Sequence, residues 1–239
     1  MTVFTILNAM LLRDVPFFRD PDRVMALDSM DARGRQVGVS FDDYLDWRTA
    51  TSFSGMAAYA GSSAILADGD RPADRLNGVF VSAGTFELLG AAPAIGRAFR
   101  PDDDRPGAAM VVVLAHGLWA GRFGSDPEII GRQIRVNGAS ATVVGVMPPG
   151  FSFPLTGDLW VPLAHMPGVA ERARDRRVLT LVGRLGNGIS LAQARAELET
   201  LCEGLAARHA ATNAGVRPVI VPFVTATWAR SRPPSRCSC

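Results

Sequence analysis

Residues 111–154, VVVLAHGLWAGRFGSDPEIIGRQIRVNGASATVVGVMPPGFSFP, hold the clearest structural grammar in the chain. Val111–Leu114 is a β-branched apolar run, which predicts a short buried strand. A brief amphipathic helix follows, with Leu118, Trp119 and Phe123 on its apolar side and Gly124 as its stop. Asp126-Pro127-Glu128 restarts a helix: an N-cap acceptor, a proline in the first turn and an acid at the positive end. Gly131 closes it. Gln133–Val136 and Ser140–Val146 then flank Asn137-Gly138, a strong hairpin signal, because both central residues of a type I′ turn need positive φ. Met147-Pro148-Pro149-Gly150 ends the second strand, since neither proline can donate to a ladder. The passage is scaffold, and it contains no nucleophile–base pair.

Outward from this core, Arg23–Met30 reads as a strand. Ser40 caps a helix with Asp43 three residues on, and Phe41, Tyr44, Leu45 and Trp47 give that helix a packed side continuing through Phe53 and Met56. Asp42, Asp43 and Asp46 suggest a metal site, but acids in a first helical turn favour the dipole, so a solvated face is expected. From about Ala58 the texture changes to short strands, Ala64–Ala67 and Arg75–Val81, around a turn at Asp68-Gly69-Asp70. SAGTFELLG (82–90) is a short helix closed by Gly90. Asp102-Asp103-Asp104 opens like a calcium loop, but Pro106 and Val113 fall where ligands belong, so it reads as an acidic turn.

Beyond the core lie a strand at Leu159–Leu163, an arginine-rich loop at Glu171–Arg177, and a strand at Val178–Arg184. Ser190 and Gln193 then form a capping box. Behind it Leu191, Ala194, Leu198, Leu201 and Leu205 recur at helical spacing, one stripe facing a core. Gly186 and Gly188 lack the third glycine and acidic partner of a dinucleotide loop. Val216–Phe223 is a strand whose Pro218 and Pro222 suit it to an edge. The order is therefore strand–helix, a mostly β insertion, then strand–helix–strand.

The composition, 48% hydrophobic and 20% charged over 239 residues, is that of a folded globular chain. A net charge of +2 makes no electrostatic case for nucleic acid as a partner. All 25 basic residues are arginine. Without lysine the chain can form neither a P-loop nor a Schiff base. Cys202 reads as an apolar packing residue in its helix. His116, His165 and His209 each stand alone, without the spacing of a metal or catalytic motif, and no cofactor is expected.

VVVLAHGLWAGRFG, GRQIRVNG, TVVGVMPPGFSFP and DLWVPL together resemble the MacB-like periplasmic core domain of ABC-transporter permeases of the MacB/FtsX kind. NAMLLRDVPFFRDPDRV, SFDDYLDWRTATSFSGMAAY and GRLGNGISLAQARAELETL fit the same family, which extends the resemblance to about Val224. The resemblance implies an α+β fold: a discontinuous α/β porter-like subdomain, residues 20–60 and 175–224, with a β-rich subdomain, residues 61–174, inserted into it. It also implies that residues 1–19 are the remnant of a first transmembrane helix and its link, since the apolar run Val3–Leu12 is about half of the ~20 residues a span needs.

By the same resemblance the chain is a truncated permease fragment at the extracytoplasmic face of the inner membrane. It would be non-catalytic and would couple to a cytoplasmic ABC ATPase through the missing transmembrane part. A periplasmic adaptor or substrate and a homodimer of the full-length protein are the further partners implied. Residues 225–239 depart from the family. WARSRPPSRCSC (228–239) is expected to be a disordered frameshift product, because moving its codons back one nucleotide turns every position small or apolar, like the start of a span. Two other readings of the whole chain are a stand-alone ligand-binding module, with Trp47, Trp119 and Trp160 lining a groove, and a hydrolase assembled from distant residues. Core packing is the commoner fate of such tryptophans.

Overall fold

Val24–Met30 (β1) opens with four consecutive apolar residues and is buried along its length except at Met30, polar Asp28 and Ser29 included. The computed structural model describes residues 18–69, 71–154, 156–169, 171 and 173–223. The expectations for residues 1–17 and for the tail from 224 onward lie outside the described residues.

Two strands from the far end of the sequence flank β1 antiparallel: Thr180–Leu185 (β9) on one side and Arg217–Pro222 (β10) on the other. As the prolines predict, β10 is an edge strand. On this part of the sheet lie Phe41–Trp47 (α1) and the long helix Leu191–Arg208 (α4), followed by the short Ala210–Asn213 (α5). The Ser190–Gln193 capping box forms in full, and Ala194, Leu198, Cys202 and Leu205 make the buried stripe of α4. Ser40 accepts from the amide of Asp43, but α1 stops at Trp47. Phe53 and Met56 do not extend its packed side. They belong to the next strand, where pairing with β9 offers their backbone a ladder.

That strand, Phe53–Ala67 (β2), is 15 residues long. Its first half pairs with β9 and its second half with Asp74–Val81 (β3). Sequence alone shows only the end of it as a strand, because exposed Gly61, Ser62 and Ser63 interrupt the apolar alternation. Helix Thr85–Leu89 (α2), ended by Gly90, and the two-residue strand Ile95–Gly96 (β4) follow. The 111–154 stretch folds largely as its grammar requires: Val111–Leu114 (β5), His116–Phe123 (α3), Gln133–Val136 (β6) and Ala139–Val146 (β7). Asn137 and Gly138 have φ of 52° and 82°, the signs of a type I′ turn. The segment after Asp126 is a single 3₁₀ turn, Pro127–Ile129, closed before Gly131.

Leu159–Pro162 (β8) completes the sheet, whose order is β10-β1-β9-β2-β3-β8-β5-β7-β4. β6 pairs with β7 and also with the far end of β2, at Leu66 and Ala67. The turn residue Asn137 makes the same closure: its amide donates to the Ile65 carbonyl at 2.8 Å, and its Oδ1 accepts from the Ile65 amide at 2.8 Å. The path β2–β3–β8–β5–β7–β6–β2 is therefore a closed six-stranded ring. Its interior holds Leu66, Phe80, Val112, Leu114, Ile134 and Val143 among others, contiguous with the core beneath α1 and α4. The opposite sheet face forms a second core rich in aromatics, where Trp160 meets Phe86 edge-on at 5.7 Å. The class is α+β, a mixed sheet with helices packed on it.

Candidate functional site

The acids of α1 do not form the solvated face expected of them. Asp43 is 1% exposed. It accepts from Arg174 Nη1 at 2.6 Å, from Arg177 Nη1 at 2.7 Å, and from Asn213 Nδ2 at 3.0 and 3.1 Å. Arg174 also pairs with Asp46 at 2.8 Å, and Arg177 donates to the Thr212 carbonyl at 3.2 Å. Burial alone would lower the Arg174 pKa, but the carboxylates of Asp46 and Asp43 hold it above its usual value. Three segments more than 130 residues apart in part of their span are thereby fastened at one buried carboxylate. The helix dipole argument failed because it counts only local partners; the arginines lie in what reads as a plain surface loop.

A second tie joins α4 to the loop that follows α1. Glu197, on α4, accepts from the amide and hydroxyl of Thr51 at 2.7 and 2.8 Å and from the Ser52 amide at 2.8 Å. Burial would raise its pKa, yet these donors and the Ser52 hydroxyl hold it down, from 4.5 to about 2. A third lies at the ring. Arg122 of α3, 9% exposed, donates Nε to Asp68 Oδ1 at 2.8 Å, pairs with Asp74, and donates Nη2 to the Pro72 carbonyl at 2.9 Å.

The residues that sequence reading weighed as sites are dispersed. Asp102 pairs with Arg105 and Asp103 with Arg97, while Asp104 accepts from the amides of Ala83 and Ala164 at 2.8 and 2.7 Å. No group of three or more metal-ligating side chains occurs among the described residues. His116 packs edge-on against Trp119, and His209 sits at the C-terminal end of α4. Trp47 and Trp160 are core residues, and Trp119 Nε1 donates to the Asp126 carbonyl at 2.8 Å, so the three line no common groove. Burial pushes the Cys202 thiol up to about 12, which leaves it inert as a nucleophile.

One concave feature was not legible in the sequence. At one end of the ring an apolar cavity of about 170 Å³ lies among Ala64, Phe80, Val136, Leu159 and Val161, with His165 on its wall. Beside it β3 passes close to β2: a Cβ on Gly78 would stand 2.8 Å from that of Ala64. His165 occupies the short turn Leu163–His165 after β8; burial lowers its pKa, against the opposing charge of Asp104.

The fold is an α+β domain whose mixed sheet carries a ring closed by the 111–154 hairpin. Residues 1–201 match the model of the MacB-like periplasmic core domain, and the chain belongs to that family. Its fold is similar to the periplasmic region of MacB from Actinobacillus actinomycetemcomitans, with a TM-score of 0.67, 16% identity, and coverage of 94% of this chain and 99% of that one. It is also similar to the extracellular domain of the noncanonic ABC-type transporter YknZ from Gram-positive bacteria, with a TM-score of 0.60, 14% identity, and coverage of 82% and 99%. No curated protein matches the chain in sequence. No helix among the described residues is long and apolar enough to cross a membrane.

Proposed function

We propose that this chain is the non-catalytic extracytoplasmic core of an ABC transporter permease, held at the outer face of the inner membrane. It relays motion between a cytoplasmic ATPase and a periplasmic substrate or adaptor, and it pairs with a second copy in the full-length permease. Membership of the family over residues 1–201 carries this reading. The mechanics support it. Segments from both ends of the sequence lie side by side as β1, β9 and β10 and are clamped at Asp43. Displacement at the membrane side would therefore move them as one body. β2 runs unbroken from that body into the ring, so its backbone ladder can carry the displacement onward. The division into a porter-like part, 20–60 with 175–224, and an inserted part, 61–174, belongs to this proposal, with β2 as the element the two share.

Two measurements test it in cells expressing the protein from its native locus. A cysteine at exposed Ser63, with the native cysteines replaced, should react with a membrane-impermeant maleimide in intact cells. Labelling only after lysis refutes the location. Affinity capture after cross-linking should bring down an ABC ATPase; reproducible capture without one refutes the coupling role.

A further inference from the structure

Asn-Gly occurs three times in the chain, at Asn77-Gly78, Asn137-Gly138 and Asn187-Gly188, and all three asparagines are exposed. The pair is chemically labile. Asparagine carries a thermolabile carboxamide, and glycine has no Cβ to shield its nitrogen from the carboxamide carbon just before it. Attack requires the backbone between the two residues to turn and the carboxamide to swing onto that nitrogen. Hydrogen bonds that hold either group oppose it, so the fold grades three identical dipeptides.

Asn77-Gly78 is held most firmly. The Asn77 amide and Nδ2 both donate to Asp158 Oδ2, at 2.8 and 3.1 Å, and the Asn77 carbonyl accepts from the Asp158 amide at 2.9 Å. Gly78 is buried between β2 and β8, opposite Ser62 and Leu159. Asn137-Gly138 is held at the asparagine, whose amide and Oδ1 both bond Ile65 at 2.8 Å. Asn187-Gly188 is the loose one. It fills the centre of the turn between β9 and α4, which a single bond closes, from the Ile189 amide to the Gly186 carbonyl at 3.2 Å. Among the described residues no hydrogen bond holds the Asn187 carboxamide. A Cβ on Gly188 would meet no atom within 4 Å, so the turn also has room to move.

We propose that Asn187 is a site of spontaneous modification, converted by water to aspartate and isoaspartate in the folded protein ahead of Asn137 and Asn77. The Gly188 nitrogen bonds to Cγ of Asn187, the Cγ–Nδ2 bond breaks, and ammonia leaves with the proton from that nitrogen. Water then opens the cyclic imide, at the side-chain carbonyl to give aspartate or at the backbone carbonyl to give isoaspartate. Both products lower the net charge of +2 by one. Isoaspartate also adds a methylene to the main chain just before Ser190, the cap of α4, and the Ile189–Gly186 bond does not span the longer turn unchanged. The site goes beyond the transport reading and stands whether or not the chain is part of a permease.

Incubation of the full 239-residue chain in mildly alkaline buffer, with peptide mapping by mass spectrometry at intervals, tests this. Product is expected first at Asn187. Asn137 should lag by at least ~5-fold, the value of one net hydrogen bond broken on local opening, and Asn77 should lag further. In urea those bonds are gone, and the three rates should draw together. Asn187→Gln should remove the earliest acidic species seen on ion exchange and leave the other two rates unchanged. Earliest product at Asn137 or Asn77 in the folded chain overturns the proposal. So does an Asn187 that stays intact over the time in which the urea-unfolded chain converts. The same order and spacing of rates in urea as in buffer overturns the role of the fold and assigns the difference to local sequence.

Discussion

Asp43→Ala removes the one carboxylate that α1 places at the centre of the buried cluster. In the wild type it balances Arg177, whose side chain is 8% exposed, and shares Arg174, 18% exposed, with Asp46. After the substitution Arg174 keeps Asp46, but Arg177 is left with the Thr212 carbonyl, and the Asn213 amide loses its acceptor. Breaking a buried ion pair by deleting one partner costs about 3–5 kcal/mol, because the other charge stays desolvated. For a domain of this size each kcal/mol lowers Tm by about 2–4 °C, so a fall of about 6–20 °C is expected. The decisive comparison is a separate cycle of wild type, Asp43→Leu, Arg177→Met and the two combined. Asp43→Leu combined with Arg177→Met exchanges both charges for apolar volume, and it should recover at least half of the sum of the single losses. Urea unfolding followed by tryptophan fluorescence gives all four free energies. A loss under ~1 kcal/mol for Asp43→Ala, or strict additivity in the cycle, would show that the cluster does not fasten the segments and would refute the reasoning.

Glu197 predicts a pH signature. Its folded pKa of about 2 lies below its ordinary 4.5, so its contribution is complete above about pH 4.5 and is lost as pH falls toward 2. Discounted for partial exposure, Glu197→Gln should cost about 1–2 kcal/mol at pH 7 and about a quarter of that at pH 2.5; an equal cost at both pH values contradicts the assignment. Gly138→Val meets no atom within 4 Å at the new Cβ, yet its φ of 82° strains a β-branched residue, so a loss of about 1–2 kcal/mol should come from backbone alone. An unchanged Tm would count against the turn. Within residues 20–223, limited trypsin digestion should cut at the exposed Arg33 or Arg35 ahead of Arg174 and Arg177, which Asp43 holds. First cleavage after Arg177 would argue that the loop is free.

Most local features were legible in the sequence because their causes are local. Asn137-Gly138 specifies its turn through the φ values only those residues tolerate cheaply. Ser190 and Gln193 satisfy each other's backbone donors, and the stripe from Ala194 to Leu205 follows from helical spacing alone. The prolines of β10 predicted an edge because they remove ladder donors. The resemblance carried by the 111–154 stretch and its neighbours pointed to the family to which the chain belongs.

Tertiary structure decided the rest, and in each case the missing partner is far away in sequence. Asp43 is buried because Arg174, Arg177 and Asn213 converge on it, and no reading of its own helix could supply them. Phe53 and Met56 join a strand because β9 and β3 offer β2 pairing along its length, outweighing an apolar pattern that seemed to continue α1. Ring closure depends on Asn137 reaching Ile65, and the need for glycine at 78 on how closely Ala64 approaches it. Capping, turn strain and periodicity act over a few residues and can be read from a string; charge pairing, strand closure and empty volume are properties of residues that only the folded chain makes neighbours.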